Sequence, residues 1–224
     1  MKVRADAAPW KRRSEPFAGI VDVEGQPLNV AIRPGRGAGT PLLICNGIGA
    51  NLELLDPLVE ALGDAMDGTE VIRFDVPGIG ESPAPRWPYR FCSLARLVRR
   101  LLDTLGHPEA DVMGVSWGGL LAQQFAWSEA AHCRRLILAA TVPGMTMVPG
   151  PLSALVHMLG PERYGDRDVM LAQAPKIYGG VFRDAPERIA DHWDRLHGNR
   201  GSGYYHQMAA AMGRSSLYFL PLLR

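Results

Sequence analysis

The sequence predicts an α/β fold: a mostly parallel sheet with helices on both faces, followed by a helical cap. Short apolar runs without polar alternation recur between stretches of helical periodicity, which is the signature of strands buried on both faces. Glycine-rich turns directly follow several of those runs, where open α/β sheets place their sites. The chain has 224 residues, 47% of them hydrophobic, enough for one domain at roughly 150 residues per domain, with room for an added subdomain.

Taken in order, residues 1–16 read as a basic N-terminal tail carrying Lys2, Arg4, Lys11, Arg12 and Arg13. Residues 17–23 and 27–33, joined across Glu24-Gly-Gln26, read as a hairpin. Residues 41–45 form a continuous apolar run, closed by the turn Asn46-Gly-Ile-Gly-Ala-Asn51, and residues 52–62 follow with helical spacing. A further strand at 70–74 ends in Asp75-Val-Pro-Gly-Ile-Gly80. Ser93 is placed to cap an amphipathic helix whose Leu94, Leu97, Val98, Leu101, Leu102 and Leu105 recur at helical spacing, with Arg96, Arg99 and Arg100 off the stripe. A strand at 111–115, an apolar helix at 120–127 and a strand at 135–140 complete a core spanning 17–142. From 143 to 224, turn formers alternate with short helical stretches, and the region reads as the cap.

The charge balance, 24 Lys plus Arg against 23 Asp plus Glu, argues against nucleic acid as the partner, because phosphate binding needs a basic face. Cys45, Cys92 and Cys133 make neither a disulfide framework nor a metal-ligand spacing, and no cofactor or metal is expected. The N-terminus lacks the apolar stretch of a secretory signal, and nowhere do about 18 apolar residues run uninterrupted, so no transmembrane segment is expected. The expectation is a soluble cytoplasmic protein.

The chemistry concentrates in Gly114-Val-Ser-Trp-Gly118. A serine between two glycines, with an apolar strand before it and a helix after it, fits a strand-to-helix corner too tight for side chains. Such a corner exposes Ser116 Oγ above the sheet beside the N-terminus of the helix, whose N–H groups favour developing negative charge. The turn after residue 45 is the expected source of the second oxyanion donor, so the backbone N–H groups of Ile48 and Trp117 are the candidate pair. The Asp75 turn reads as architectural, with the carboxylate ordering backbone N–H groups.

A serine nucleophile also needs a histidine and a carboxylate to orient it. His107 and His132 precede strands and belong to the other end of the sheet. His157, His192, His197 and His206 fall in the cap, and Thr141-Val-Pro143 offers no carboxylate after the last strand. The expectation is a chain truncated before the last two strands, which would carry the acid and the base.

Taken together, Thr40-Pro-Leu-Leu-Ile-Cys-Asn-Gly-Ile-Gly-Ala-Asn-Leu-Glu53, Phe74-Asp-Val-Pro-Gly-Ile-Gly80, Pro88-Tyr-Arg-Phe91, Gly114-Val-Ser-Trp-Gly-Gly119, Ala122-Gln-Gln-Phe125, Met147-Val-Pro-Gly150, Ile177-Tyr-Gly-Gly180 and Gly203-Tyr-Tyr205 resemble the intracellular medium-chain-length poly(3-hydroxyalkanoate) depolymerases, which are α/β hydrolases. The resemblance runs from about Val30 to the C-terminus. It implies hydrolysis of 3-hydroxyalkanoate esters at a hydrophobic polyester or granule surface, with Ser116 as nucleophile and an Asp and a His further along. Asn46, Met145 and Tyr178 are the candidate substrate contacts. Six of the nine methionines (Met145, Met147, Met158, Met170, Met208 and Met212) fall in the cap, where soft apolar side chains suit a polyester with alkyl pendants. A small-ester esterase or lipase on the same scaffold and an inert chain are the alternatives.

Overall fold

Among the described residues one sheet forms, in the strand order β1-β2-β4-β3-β5-β6. The computed structural model of the chain describes residues 14–37, 39–66, 68–145, 167–177, 187–195 and 202–223. The strands are β1 (Phe17–Val23), β2 (Gln26–Arg33), β3 (Leu42–Cys45), β4 (Val71–Phe74), β5 (Ala110–Val115) and β6 (Cys133–Ala139). β1, β2 and β4 pair antiparallel, and β4, β3, β5 and β6 run parallel. The helices are α1 (Asp56–Ala65), α2 (Phe91–Leu105), α3 (Trp117–Ser128), α4 (Arg167–Ile177), α5 (Glu187–Asp194) and α6 (Ser202–Ala211).

The parallel strands are apolar on both faces because both are covered. Leu43, Cys45, Ile72, Phe74 and Val112 join the larger core cluster with α2 and α3, whereas Leu42, Ile44 and Val71 pack with Leu55 and Val59 on the α1 side. Arg73 points to that second face and is buried. It pairs with Asp56 at the N-terminus of α1 and donates to the Leu52 carbonyl at 3.2 Å. The carboxylate thus meets both a guanidinium and a helix N-terminus, which suits its charge.

Most strand ends shift by a residue or two, and the apolar helix expected over 120–127 begins earlier, at Trp117; three further differences have a local reason. The helix expected over 52–62 splits into a 3-10 turn, Leu52–Leu55, and α1, whose first turn carries Pro57; proline is preorganised for a helix start. Ser93 does not cap α2. The helix starts earlier, at Phe91, and Ser93 Oγ reaches back to accept the Arg90 N–H at 3.0 Å from within the first turn. Ala140, expected in the last strand, has left it and turns with φ of 47°. The stripe of α2 follows the pattern closely: Leu94, Val98, Leu101, Leu102 and Leu105 are buried.

After β6 the chain turns back across α3. The Ser216 N–H donates to Pro143 O at 2.7 Å, Gly144 bridges Ser215, and the Phe219 ring stacks on Trp127 with centroids 5.2 Å apart. Among the described residues no helix is long and apolar enough to cross a membrane.

Among the described residues β6 is the parallel edge, and it is poorly covered: Ile137 and Leu138 are 43% and 41% exposed. Unpaired edges with apolar side chains template association, and lysine blunts them. We expect Leu138→Lys to raise the monodisperse fraction of purified chain in light scattering, with a stability change within about 0.5 kcal/mol by denaturant titration.

Candidate active site

Ser116 sits at the corner between β5 and α3 with φ of 53° and ψ of −119°, a conformation that costs about 1–3 kcal/mol for a residue with a side chain. Its surroundings hold it there. The Ser116 N–H donates to Ala139 O at 3.0 Å, and its carbonyl accepts from Thr141 Oγ1 at 2.7 Å and from the Gly119 N–H at 2.9 Å. The glycines are required by contact. A Cβ at Gly114 would lie 2.5 Å from Gly118 O, one at Gly118 would overlap the Cys45 carbonyl, and one at Gly119 would overlap the Thr141 hydroxyl. Ser116 itself is partly exposed.

The loop expected to face this corner does so, because β3 and β5 are neighbours in parallel register, Cys45 opposite Gly114. A Cβ on Gly47 would stand 3.7 Å from Ser116 Cβ, so the loop passes directly over the serine. Asn46 shapes it: Oδ1 accepts the Gly47 N–H at 2.8 Å, and Nδ2 donates to Asn51 O at 2.7 Å. The side chain expected to touch substrate is thus engaged inside its own loop. Ile48 is half-buried against the core, and Trp117 supplies the first amide of α3, one of the helix N–H groups without an intrahelical partner.

Cys45 ends β3 beneath this loop. Burial pushes its thiol up to about 12, so it stays protonated and offers no thiolate. Asp75 is fully buried and holds the neighbouring turn: its carboxylate accepts from the Leu52 N–H at 2.7 Å, Asn29 Nδ2 at 2.9 Å and the Glu81 N–H at 3.2 Å. Ser82 Oγ donates to the Asp75 carbonyl at 2.8 Å.

His107 lies at the opposite end of the sheet, 2.5 Å from Glu70 just before β4. His132 Nδ1 is 2.7 Å from Pro108 O. His206 stands edge-on to Tyr89, with centroids 5.9 Å apart. Among the described residues no side chain hydrogen-bonds Ser116 Oγ, and no group of His, Cys, Asp and Glu could hold a metal ion. Met145 is exposed and its N–H donates to Arg214 O. Tyr178 lies outside the described residues, as do His157 and His197.

Two residues that the sequence reading did not place at the corner belong to it. Thr141 was legible in principle, since it follows the strand beside β5. Gln207 was not. It is buried on α6, accepts the Gly49 N–H on Oε1 at 2.7 Å, and accepts the Trp117 indole N–H on its carbonyl at 2.8 Å.

A glycine-framed serine in a strained strand-to-helix corner, with a loop from the adjacent parallel strand over it, defines an α/β hydrolase, and residues 40–198 match that family's pattern, described as the alpha/beta hydrolase fold. The chain belongs to this family, in the branch that includes poly(3-hydroxyalkanoate) depolymerase. It is 48% identical over 200 residues to the poly(3-hydroxyalkanoate) depolymerase of Ectopseudomonas oleovorans, covering 89% of this chain and 70% of that one. A soluble epoxide hydrolase of Corynebacterium sp. (strain C12) is 29% identical over 125 residues, 54% of this chain and 43% of that one. Among solved structures, the enol-lactonase from Burkholderia xenovorans LB400 superposes with a TM-score of 0.73 at 25% identity, covering 92% of this chain and 78% of that one.

Burial pushes the Asp75 carboxyl up to about 6, against the three N–H donors that pull it down. Its folded pKa therefore lies above the unfolded value near 3.9. The folded state binds the extra proton between pH 4 and 6, and this group's contribution is full below pH 4 and lost as pH rises through 6. The stability advantage of wild type over Asp75→Asn should shrink by up to about 3 kcal/mol between pH 4 and 6.5 in denaturant titrations.

Proposed function

We propose that the chain is a serine hydrolase that cleaves the ester bonds of a hydrophobic poly(3-hydroxyalkanoate) polyester through an acyl-enzyme. Carboxylic-ester hydrolysis follows from family membership. The polyester substrate is supported by the 48% identity to the depolymerase, a far nearer relative than the epoxide hydrolase at 29%. The observation that carries the mechanism is the Ser116 corner, strained at φ of 53° and overhung by Gly47.

In this reading Ser116 Oγ attacks the ester carbonyl carbon, and the carbonyl π electrons move onto oxygen. The N–H groups of Ile48 and Trp117 receive that oxyanion, in a position where fixed dipoles need no reorganisation. The tetrahedral species collapses, the C–O bond to the leaving hydroxyalkanoate breaks, and that alkoxide takes a proton. Water then attacks the acyl-Ser116 ester and releases the second product, returning the serine proton. Both steps need a base to carry the proton from Ser116 and from water. The resemblance assigns that role to a His oriented by an Asp.

Labelling by a fluorophosphonate, read by intact mass and peptide mapping, tests the nucleophile directly. We expect one adduct, on Ser116, lost in Ser116→Ala. Release of 3-hydroxy acids from a polymer suspension should fall at least about a thousandfold in the same variant. Turnover of soluble short esters with none on polymer would replace the polyester by a small-ester substrate, and absence of any adduct would leave the inert chain in place of the proposed Ser116 mechanism.

A further inference from the structure

We infer that Gln207 is a positioning residue that holds the two halves of the oxyanion site in register. The inference rests on the proposed nucleophilic role of Ser116 and adds what fixes the geometry around it. The two candidate donors come from separate elements: Ile48 from the loop after β3, and Trp117 from the start of α3. The start of the loop touches the helix end directly, at Gly118 against the Cys45 and Asn46 carbonyls, whereas Gly49, further along, takes a φ of 67° that a backbone without a Cβ adopts freely.

Gln207 spans both. Its side-chain Oε1 takes the N–H of Gly49, the residue next to Ile48, at 2.7 Å. Its main-chain carbonyl takes the indole N–H of Trp117 at 2.8 Å. One residue, 1% exposed, therefore bonds to both donor-bearing segments, through its side-chain amide and its main-chain carbonyl. The Gly49 N–H is a donor, which fixes the amide orientation with Oε1 toward the loop.

Burial of a glutamine has to be compensated by such bonds, and the packing of α6 shows how it reaches this depth. Gly203, one turn earlier, sits backbone to backbone on Gly78; a Cβ on either glycine would overlap the other. Gly78 belongs to the turn that Asp75 holds. The chain of contacts therefore runs from the buried Asp75 carboxylate to α6, and from α6 through Gln207 to the loop and the first turn of α3. The Trp117 ring is fixed on its other side by Phe91, with centroids 4.8 Å apart.

Misplacing an oxyanion donor by about 1 Å costs on the order of a hundredfold in rate, and the loss falls on the chemical step. Gln207→Met keeps the length and helix preference of the side chain while removing the acceptor. Trp117→Phe removes the indole donor and keeps the backbone N–H. The test is fluorophosphonate inactivation of the purified 224-residue chain, resolved into the limiting inactivation rate and the reagent affinity, alongside thermal melting and amide exchange at Gly49.

We expect each variant to lose about 10- to 100-fold in the limiting rate with reagent affinity unchanged, and the Gly49 amide to exchange at least tenfold faster in Gln207→Met. A folded Gln207→Met or Trp117→Phe chain that labels at the wild-type limiting rate would overturn the clamp while leaving Ser116 as nucleophile. A wild-type chain that takes no label at Ser116 would overturn the proposed nucleophile and, with it, the clamp.

Discussion

Main-chain contact between α3 and the end of β3 is the constraint on which the rest depends. Gly118 lies so close to the Cys45 and Asn46 carbonyls that no side chain fits between them, and this approach forces the chain to reverse within one residue. That residue is Ser116, and its positive φ is the consequence of the packing. The strain is held by bonds on three sides: Ala139 and Thr141 from the neighbouring strand end, and Gly119 from the helix itself. A serine in a relaxed turn would lie along the sheet edge; here its hydroxyl is carried at the corner, beside the first helix amide, where negative charge is favoured.

Sheet order converts this corner into a site. Because β3 and β5 are adjacent and parallel, the turn after β3 and the corner after β5 emerge at the same edge, about one strand spacing apart. The sequence indicated both turns but not their adjacency, since apolar runs of similar texture specify a parallel sheet without specifying neighbours. Local geometry was legible where one residue type has one physical use, as in the glycines around Ser116, the leucine stripe of α2 and the turn at Glu24-Gly25. It was less legible where two local rules compete. Ser93 has the chemistry of a cap, yet the apolar Phe91 and the bond back to Arg90 move the helix start ahead of it.

Gln207 marks the limit of that legibility. Its helix carries no apolar stripe that would announce a buried face, and the partner loop lies 158 residues away in sequence. Nothing local distinguishes it from a solvated glutamine. The signal is tertiary: a glycine pair, Gly78 with Gly203, lets two backbones touch and drags the following turn of helix into the interior.

That arrangement bears on how one scaffold serves several chemistries. The relatives include a polyester depolymerase, an epoxide hydrolase and an enol-lactonase, so the sheet and the corner do not select the substrate. Selection has to lie in what covers the corner, and α6 belongs to the part of the chain beyond β6. If that segment were a separate lid, changes in it would alter binding alone. Because Gln207 joins it by hydrogen bonds to the loop and to Trp117, a shift of α6 that accommodates a bulkier acyl chain would, under the proposed mechanism, also move the N–H groups of Ile48 and Trp117. Recognition and rate are then mechanically linked, and a substitution that widens the site for larger pendants carries its cost in the chemical step unless the two bonds to Gln207 are preserved.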